Sequence, residues 1–273
     1  MADSFTRFAE LFDMAAHGPD VWVGESAQYP WGRVYGGQVA AQGLWAAAQT
    51  VHPEYRAHSL HCYFIRGGDS DEPIRFEVDR IRDGRSFETR RVVARQSNGA
   101  ILNLSASFQR DEDGPDVTVP DALAGVPSPD DLPTRDWGPL LERRDIPADA
   151  GDHQRTWLRV VGPLGDDPLT HAVAHAYASD DIPMAAAELA HPRGQPEWDG
   201  EEHPDRPYPY MSASLDHTIW LHRPAPADDW VLHDFRGIGV YGGRGLAIGE
   251  MWSREGIHIA TVAQEVLLRE ARG

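Results

Sequence analysis

The sequence predicts an α+β protein in which one unit, a long helix packed against an antiparallel sheet, is used twice. An Ala-rich helical stretch from Gly37 to Val51 is followed by four strand-like segments between residues 58 and 110. After a segment rich in proline and aspartate, a helical stretch and a second set of strands return. Because a repeated order of elements indicates a duplicated unit, we expect two domains, residues 1–112 and 153–273, joined by a linker at 113–152.

The first long helix is the element around which the N-terminal half is organised. Gly36 and Gly37 stand directly before a run that is apolar on nearly every face, which is typical of a helix buried all round. A Gly-Gly helix start leaves the first backbone N–H groups uncovered, and these groups favour an anion or a developing oxyanion. A tight turn into a core helix explains the same two glycines, and the residues alone leave both interpretations open.

Side-chain periodicity predicts the other elements of the N-terminal half. Residues 5–15 place their large apolar side chains on one face, which indicates a short amphipathic helix. Residues 18–30 have the character of a loop or a short strand. Strands are predicted at residues 58–66, 73–82, 86–96 and 100–110. Short turns, such as Asn98–Gly99, separate these strands and therefore indicate an antiparallel meander.

The C-terminal half repeats this plan after the linker. Residues 169–189 predict a helix that is broken near residues 180–183, where two aspartates precede an isoleucine and a proline. An acidic, proline-rich insertion at 191–210 follows this helix. Strands are predicted at residues 155–161, 214–222, 230–235, 244–252 and 257–268.

Composition excludes several kinds of chemistry and of partner. All 25 basic side chains are arginine, so a Schiff-base lysine and a P-loop lysine are ruled out. The formal net charge of −18 argues against nucleic acid and anionic membranes as partners. The single cysteine, Cys62, excludes an intrachain disulfide and a Cys-rich zinc site. With no signal-peptide pattern and no apolar run of membrane-spanning length, we expect a cytoplasmic protein.

The sequence predicts neither a cofactor nor a metal. It contains no G-x-S-x-G motif. His171 and His175 are four residues apart on a predicted helix but have no third ligand nearby, so we interpret them as packing residues. His58 and His61 share a strand and could flank a site, although a hydrogen-bonded sheet histidine is the commoner explanation.

Two polar residues within apolar strands are candidates for chemistry. Asp216 stands near the start of SLDHTIWLH, and Gln264 stands inside TVAQEVLL. A carboxylate that enters a buried strand is unfavourable unless it is hydrogen-bonded or functional. If both side chains face one cavity, they could hold and deprotonate a water molecule. The alternative is that Asp216 caps the strand while Gln264 faces solvent, and the residues alone do not decide between the two.

Six motifs in order resemble the acyl-CoA thioesterase II family: RVYGGQVAAQGL, HSLHCYFIRGGD, IRDGRSFETRRVVARQ, ASF, SLDHTIWLHRP and VAQEVLLR. They cover most of the chain outside the linker and the acidic insertion. The resemblance implies a double hotdog fold, in which two antiparallel sheets, each wrapped around a long helix, join edge to edge in one chain. It also implies hydrolysis of fatty acyl-CoA to free acid and CoA by direct attack of water, with no cofactor and no metal.

The resemblance further implies a catalytic set of an Asp, a Ser or Thr, and a Gln that bind the attacking water. The Asp falls on Asp216 in SLDHTIWLHRP, and the Gln falls on Gln264 in VAQE. The hydroxyl residue falls near Ile238, but DFRGIGVYGGRG contains no Ser or Thr. Tyr35, beside the Gly-Gly turn, is the substitute hydroxyl that we expect, and Tyr241 is the second choice.

The remaining predicted site residues would meet the substrate rather than the water. Backbone N–H groups at Gly36 and Gly37 are expected to stabilise the oxyanion of the thioester. Gln38, His58 and Ile238 are expected to lie beside the bound substrate.

Two other functions stay open on the sequence. The first is an acyl-CoA-binding hotdog protein with little or no turnover, because the family hydroxyl is missing near Ile238. The second is an enoyl-CoA hydratase, which would require an Asp–His pair beside Gly36 and Gly37, and the sequence places none there. In each case acyl-CoA is the expected small-molecule partner, and a homo-oligomer, either dimer or tetramer, is the expected assembly.

Overall fold

A computed structural model of the protein describes residues 5, 7–119, 125–136, 139–147, 153–192, 194 and 210–270. The elements of the first half are a 3₁₀-helix (Phe8–Phe12), β1 (Ala15–Ala16), β2 (Val21–Gly24), α1 (Gly36–Ala48), β3 (Tyr55–Phe64), β4 (Ile74–Asp83), β5 (Phe87–Gln96) and β6 (Gly99–Arg110). Those of the second half are a 3₁₀-helix (Pro129–Asp131), β7 (Arg135–Asp136), β8 (Leu141–Asp145), β9 (His153–Val160), α2 (Pro168–Ala178), α3 (Pro183–Leu189), β10 (Tyr210–Ser214), β11 (Asp216–Leu221), β12 (Val231–Tyr241), β13 (Arg244–Ser253) and β14 (His258–Glu270).

One pair of strands joins the two halves into a continuous antiparallel sheet. The strand order is β1-β2-β4-β5-β6-β3 in the first half and β11-β14-β13-β12-β9-β8-β7 in the second, with β10 paired to β14. At the junction β3 pairs with β11, and His61 lies opposite Thr218. This arrangement confirms the predicted double hotdog, and it makes the two sheets continuous through their shared edge.

Helix α1 is buried against the sheet of the first half, as its apolar periphery predicts. It begins at Gly36, and ten of its thirteen residues are buried. Because glycine and alanine project little beyond the backbone, α2 approaches α1 closely. A Cβ added at Gly37 would overlap the carbonyl oxygen of Tyr177 in α2. The predicted helix at residues 5–15 is shorter in the structure, where the Phe8–Phe12 segment forms a 3₁₀ turn with Phe8 and Leu11 buried.

The predicted break in the second long helix is present. Asp167 caps α2 by accepting hydrogen bonds from the backbone N–H groups of Leu169 and Thr170. Helix α2 ends at Ala178, and α3 restarts at Pro183, where proline suits the first helical turn. The turn between the helices carries two adjacent carboxylates, Asp180 and Asp181, and both are buried.

Part of the segment predicted to be an irregular linker is instead sheet. β8 pairs with β9, with Leu141 opposite Val160, and β7 pairs with β8. The prediction missed β8 because LERRD contains a single large apolar residue, so it shows little periodicity of its own. Its neighbour β9 supplies the ladder of backbone hydrogen bonds. The division of the chain into domains at 1–112 and 153–273 stays a prediction.

A β-bulge divides the strand predicted at residues 214–222 into β10 and β11. Against β14, Ser214 lies opposite Val266, whereas Thr218 lies opposite Ala263. These two pairings differ by one residue in register, and Leu215 between them belongs to neither strand. A bulge inserts one residue and so reverses which face the following side chains occupy.

The close approach of α1 and α2 leads to a stability prediction. Gly37→Ala should lower the free energy of unfolding by about 1–3 kcal/mol, the range for overpacking a close contact, because its methyl group meets backbone at Tyr177 and the ring of Tyr35. Gly43→Ala is the control, since its Cβ would meet the movable end of Leu104 at 3.2 Å and alanine favours a helix by about 1 kcal/mol. Urea unfolding measures both. Equal effects of the two substitutions would contradict the prediction.

Candidate active site

Asp180 lies in the turn between α2 and α3, and its carboxylate is directed at the start of α1. The residue is only 7% exposed. A Cβ added at Gly36 would lie 2.6 Å from Oδ2 of Asp180, so glycine at this position permits the approach. The N-terminus of a helix carries a partial positive charge. The first turn of α1 therefore stabilises negative charge at the position of the Asp180 carboxylate.

Burial and hydrogen bonding act in opposite directions on Asp180. Burial is the largest influence, and it raises the pKa of this carboxyl group from 3.8 to about 6. Hydrogen bonds from Gln264, from Ser214 and from the backbone N–H of Gly37 lower the pKa in part. A carboxylate whose pKa lies this close to neutrality is a competent general base and also binds a proton readily.

A hydroxyl and a carboxamide complete the cluster around Asp180. Ser214, the last residue of β10, donates from Oγ to Oδ1 of Asp180 at 3.1 Å. Gln264, in the middle of β14 and 1% exposed, donates from Nε2 to Oγ of Ser214 at 2.9 Å. We call these three residues the catalytic cluster. An anionic acceptor beside a hydroxyl and an amide donor is an arrangement that can bind and deprotonate a water molecule.

A buried ion pair holds the neighbouring residue, Asp181. Its carboxylate accepts a hydrogen bond from Arg143 of β8 at 2.8 Å. The side chain of Asp181 is 1% exposed, and that of Arg143 is 7% exposed. Arg143 also donates to Asp145 at 2.7 Å. Burial raises the pKa of Asp181 to about 6, and the guanidinium of Arg143 opposes this rise. The segment predicted as a linker thus anchors the turn that carries Asp180.

Within the described residues, no three or more His, Cys, Asp or Glu side chains form a group that could hold a metal ion. The helices in the described part of the chain are also too short or too polar to span a membrane.

Asp216 and Gln264 point to different faces of the sheet, so the structure does not bring them together. Asp216 accepts a hydrogen bond from the backbone N–H of Glu265 at 2.7 Å, and it is the next residue, His217, that contacts Gln264. Successive side chains of a strand point to opposite faces, so Asp216 lies on the face away from the catalytic cluster. The bulge at Leu215 is the physical reason, because it brings Ser214 and His217 to the same face.

The tyrosines considered as substitute hydroxyls are not free to hold a water in the cluster. Tyr35 lies beside it and is partly buried, and its hydroxyl donates to the carbonyl oxygen of Tyr177 at 2.9 Å. Burial raises the pKa of Tyr35 well above its ordinary value, and the charge of Asp180 adds to this rise. Tyr241 stands at the exposed end of β12. The hydroxyl in the cluster belongs to Ser214.

Of the predicted substrate-binding residues, the structure brings Gly36 and Gly37 to the cluster but not the other three. Gln38 is fully buried, and its amide oxygen accepts hydrogen bonds from Ala27 N–H and the Tyr29 hydroxyl. His58 is hydrogen-bonded to Ser107 at 2.8 Å. Ile238 lies at a bulge of β12 with its side chain exposed.

Sequence reasoning missed Asp180 and Ser214, although both carried a signal. Asp180 ends an apolar helix, and a pair of carboxylates at the break of a buried helix is as unusual as a carboxylate in a buried strand. Ser214 stands two residues before Asp216, in the same SLDH motif. What could not be seen was the bulge between them, because no residue at 214–216 marks it.

Two family profiles match the chain and together cover most of it. Residues 26–109 match the acyl-CoA thioesterase N-terminal domain, and residues 120–268 match the acyl-CoA thioesterase C-terminal domain. The boundary between them falls within the described segment 111–119, which contains neither helix nor strand. These matches confirm the family that the six sequence motifs indicated.

Individual relatives agree with the family profiles. Human acyl-coenzyme A thioesterase 8 is 31% identical over 92% of this chain and 85% of its own length. Acyl-CoA thioesterase 2 of Haemophilus influenzae is 30% identical over 98% of this chain and 99% of its own. The crystal structure of acyl-CoA thioesterase II TesB2 from Mycobacterium marinum superposes with a TM-score of 0.83, at 36% identity, over 97% of this chain and 99% of that one.

The raised pKa of Asp180 leads to a prediction for stability against pH. Between about pH 4 and pH 6 the folded protein holds a proton on Asp180 that the unfolded chain has released, so this group makes stability fall as the pH rises. Asp180→Asn removes this contribution. The free energy of unfolding of the variant minus that of the parent should therefore rise from pH 4 to pH 6. This difference should stay nearly constant above pH 7.

Urea unfolding of both proteins at intervals between pH 4 and pH 8 measures this difference. Other groups titrate in the same range, and those whose pKa does not depend on Asp180 contribute equally to both proteins. Asp181 is the exception, because the charge of Asp180 adds to the rise of its pKa. A stability difference that is independent of pH, or one that falls from pH 4 to pH 6, would show that the pKa of Asp180 is not raised.

Proposed function

The chain belongs to the acyl-CoA thioesterase family, and we propose that it hydrolyses acyl-CoA by direct attack of a water molecule bound at the catalytic cluster. The observation that carries this proposal is the buried carboxylate of Asp180, which lies between the start of α1 and the hydrogen-bonded pair Ser214 and Gln264. The base is thus Asp180 rather than the predicted Asp216, and the hydroxyl is Ser214 rather than Tyr35.

In the proposed first step, Asp180 accepts a proton from the water as the water oxygen bonds to the thioester carbonyl carbon. Ser214 and Gln264 hold the water through their hydroxyl and amide groups, which orients its lone pair towards the carbonyl. Positioning of this kind and proton transfer by a matched base together lower the barrier. Because the pKa of Asp180 is about 6, the carboxylate is ionised at neutral pH and ready to accept the proton.

Negative charge then moves from Asp180 to the thioester oxygen. The first turn of α1 faces Asp180, and its backbone N–H groups at Gly36 and Gly37 are suited to stabilise the oxyanion as well. When Asp180 becomes neutral, the hydrogen bond from Gly37 N–H is no longer needed to hold a carboxylate charge. The same helix terminus can thus stabilise the anion before and after the proton transfer.

The second step completes the reaction without a covalent acyl-enzyme. The tetrahedral intermediate collapses, its C–S bond breaks, and the CoA thiolate takes the proton from Asp180. The products are the free acid and CoA, and Asp180 returns to its ionised state. A thiolate is a good leaving group, so an acid stronger than protonated Asp180 is not required.

We propose fatty acyl chains as the acyl class, accommodated beside the small side chains of α1. We also propose a cytoplasmic location, supported by a single, buried cysteine, and a homo-oligomer, either dimer or tetramer. Exposed apolar side chains on the joined sheet support the assembly, among them Tyr63 and Trp220 on the neighbouring strands β3 and β11.

The alternatives find less support. The lack of a hydroxyl near Ile238 favours a low-turnover acyl-CoA binder, but Ser214 supplies a hydroxyl beside Asp180. An enoyl-CoA hydratase would require a histidine that acts with the carboxylate. The nearest ring in the hydrogen-bonded set, His217, bonds to Gln264 and Ser179 rather than to Asp180.

Substitutions in the catalytic cluster test the proposed roles. Asp180→Asn keeps the shape but removes the base, so kcat should fall by about 10²–10⁴-fold, the usual effect of a general base. Ser214→Ala should lower kcat, while Ser214→Thr, which keeps the hydroxyl, should retain most of the activity. Release of CoA from a medium-chain acyl-CoA, followed with a thiol-reactive dye, measures each rate.

Asp216→Asn is the matched control for Asp180→Asn. Its amide oxygen still accepts the hydrogen bond from Glu265 N–H, so we expect parental activity and stability. Loss of activity in Asp216→Asn with activity retained in Asp180→Asn would return the base to Asp216. A mass increase of one acyl group during turnover would contradict direct attack by water. Binding of acyl-CoA without hydrolysis at any chain length would favour the binder.

A further inference from the structure

A line of hydrogen bonds behind the catalytic cluster runs from Gln264 to a residue adjacent to Asp180. Nδ1 of His217 is bonded to Oε1 of Gln264, and Nε2 of His217 is bonded to Oγ of Ser179 at 2.8 Å. Ser179 directly precedes Asp180 in the chain. Gln264, His217 and Ser179 are all buried, with exposures of 1%, 0% and 0%.

The direction of each hydrogen bond follows from the carboxylate. Asp180 is an acceptor when ionised, so the end of the Gln264 amide that bonds to Asp180 and Ser214 is the NH₂ group. The amide oxygen then faces His217, and Nδ1 must carry the proton. A neutral imidazole with its proton on Nδ1 has an acceptor at Nε2. Oγ of Ser179 lies 2.8 Å from Nε2 and 3.0 Å from the carbonyl oxygen of Ala176, so its single proton is shared between two acceptors.

We propose that His217 is a positioning residue, whose Nδ1–H fixes the amide of Gln264 with its NH₂ group towards Asp180 and Ser214. This inference rests on the proposed function for its effect on the rate. The tautomer itself is a property of the resting protein and does not depend on that function.

Such a device is needed because the two ends of a carboxamide have almost the same shape. While Asp180 is ionised, its charge favours the NH₂ group of Gln264. Once Asp180 has taken a proton from the water, it becomes a donor and would favour the amide oxygen instead. The hydrogen bond from His217 Nδ1–H opposes that rotation of Gln264 at the moment when the tetrahedral intermediate forms.

The surroundings keep His217 neutral, as this role requires. Burial lowers the pKa of the ring to about 4, and it outweighs the opposite effects of the Gln264 hydrogen bond and of the charge on Asp216. On the strand paired with β11, Cys62 lies opposite His217, and burial raises the pKa of its thiol. Across the turn, Asp180 bonds to Gln264 and Ser214 rather than to the ring.

Three variants separate positioning from a structural role. An asparagine at this position places its amide N–H near the site of Nδ1, so His217→Asn should keep most of kcat. His217→Leu has no donor and should lower kcat by about 10- to 100-fold, as loss of a buried hydrogen bond allows, with KM changed less than about threefold. His175→Leu is the matched control, because this buried histidine bonds to the carbonyl oxygen of Ala225; it should leave kcat unchanged.

Nitrogen NMR of the parent protein tests the tautomer without any variant in the site. In ¹⁵N-histidine-labelled protein at pH 7, one ring should show a protonated Nδ1 and an unprotonated Nε2, and this signal should be missing in His217→Asn.

The outcomes distinguish this proposal from the proposed function. Two results would overturn the positioning role: an Nε2–H tautomer of His217, or a His217→Leu variant that is folded and fully active. In either case an inactive Asp180→Asn would still support the proposed function. Equal loss of kcat in His217→Asn and His217→Leu would also overturn it, because rescue by the retained donor is the result that a purely structural role does not predict. An active Asp180→Asn would overturn the catalytic cluster instead, and the tautomer could still be determined.

Discussion

The approach of the Asp180 carboxylate to the start of α1 is the interaction on which the rest of the site depends. Placing a charge in a buried turn is unfavourable unless donors and dipoles surround it. Here Gly36 allows the carboxylate to reach the helix terminus, and Ser214 and Gln264 donate from the sheet. Because burial still dominates, the pKa of Asp180 is raised to about 6, which leaves the group charged but reactive at neutral pH.

The site requires both halves of the double hotdog. Helix α1 belongs to the first half, whereas Asp180, Ser214 and Gln264 belong to the second. The pairing of β3 with β11 and the contact of α1 with α2 at Gly37 hold the halves in one register. The two units thereby differ, since one half supplies the helix terminus and the other supplies the residues proposed for acid–base chemistry. Neither half contains both the catalytic cluster and the helix terminus that faces it.

Structural support for the cluster reaches it from two sides. On one side Arg143, in a strand of the predicted linker, pairs with Asp181 and anchors the turn that carries Asp180. On the other side His217 holds the amide of Gln264. The second-half strands therefore act as more than a scaffold. They fix the orientation of a carboxylate and a carboxamide whose hydrogen-bonding roles would otherwise be interchangeable, which is the requirement for a preorganised water site.

The sequence by itself determined the duplicated α+β plan, the buried helix α1 and the family, because periodicity, Gly-Gly spacing and ordered motifs are local properties of the chain. It also predicted Gln264 as a residue of the proposed site. Only the tertiary structure decided which carboxylate joins Gln264. A one-residue bulge at Leu215 turns Asp216 away and brings Ser214 inward, and the turn after α2 carries Asp180 to a helix terminus from the other half. A register shift and a contact across halves depend on pairing between distant segments, and local residue patterns do not encode such pairing.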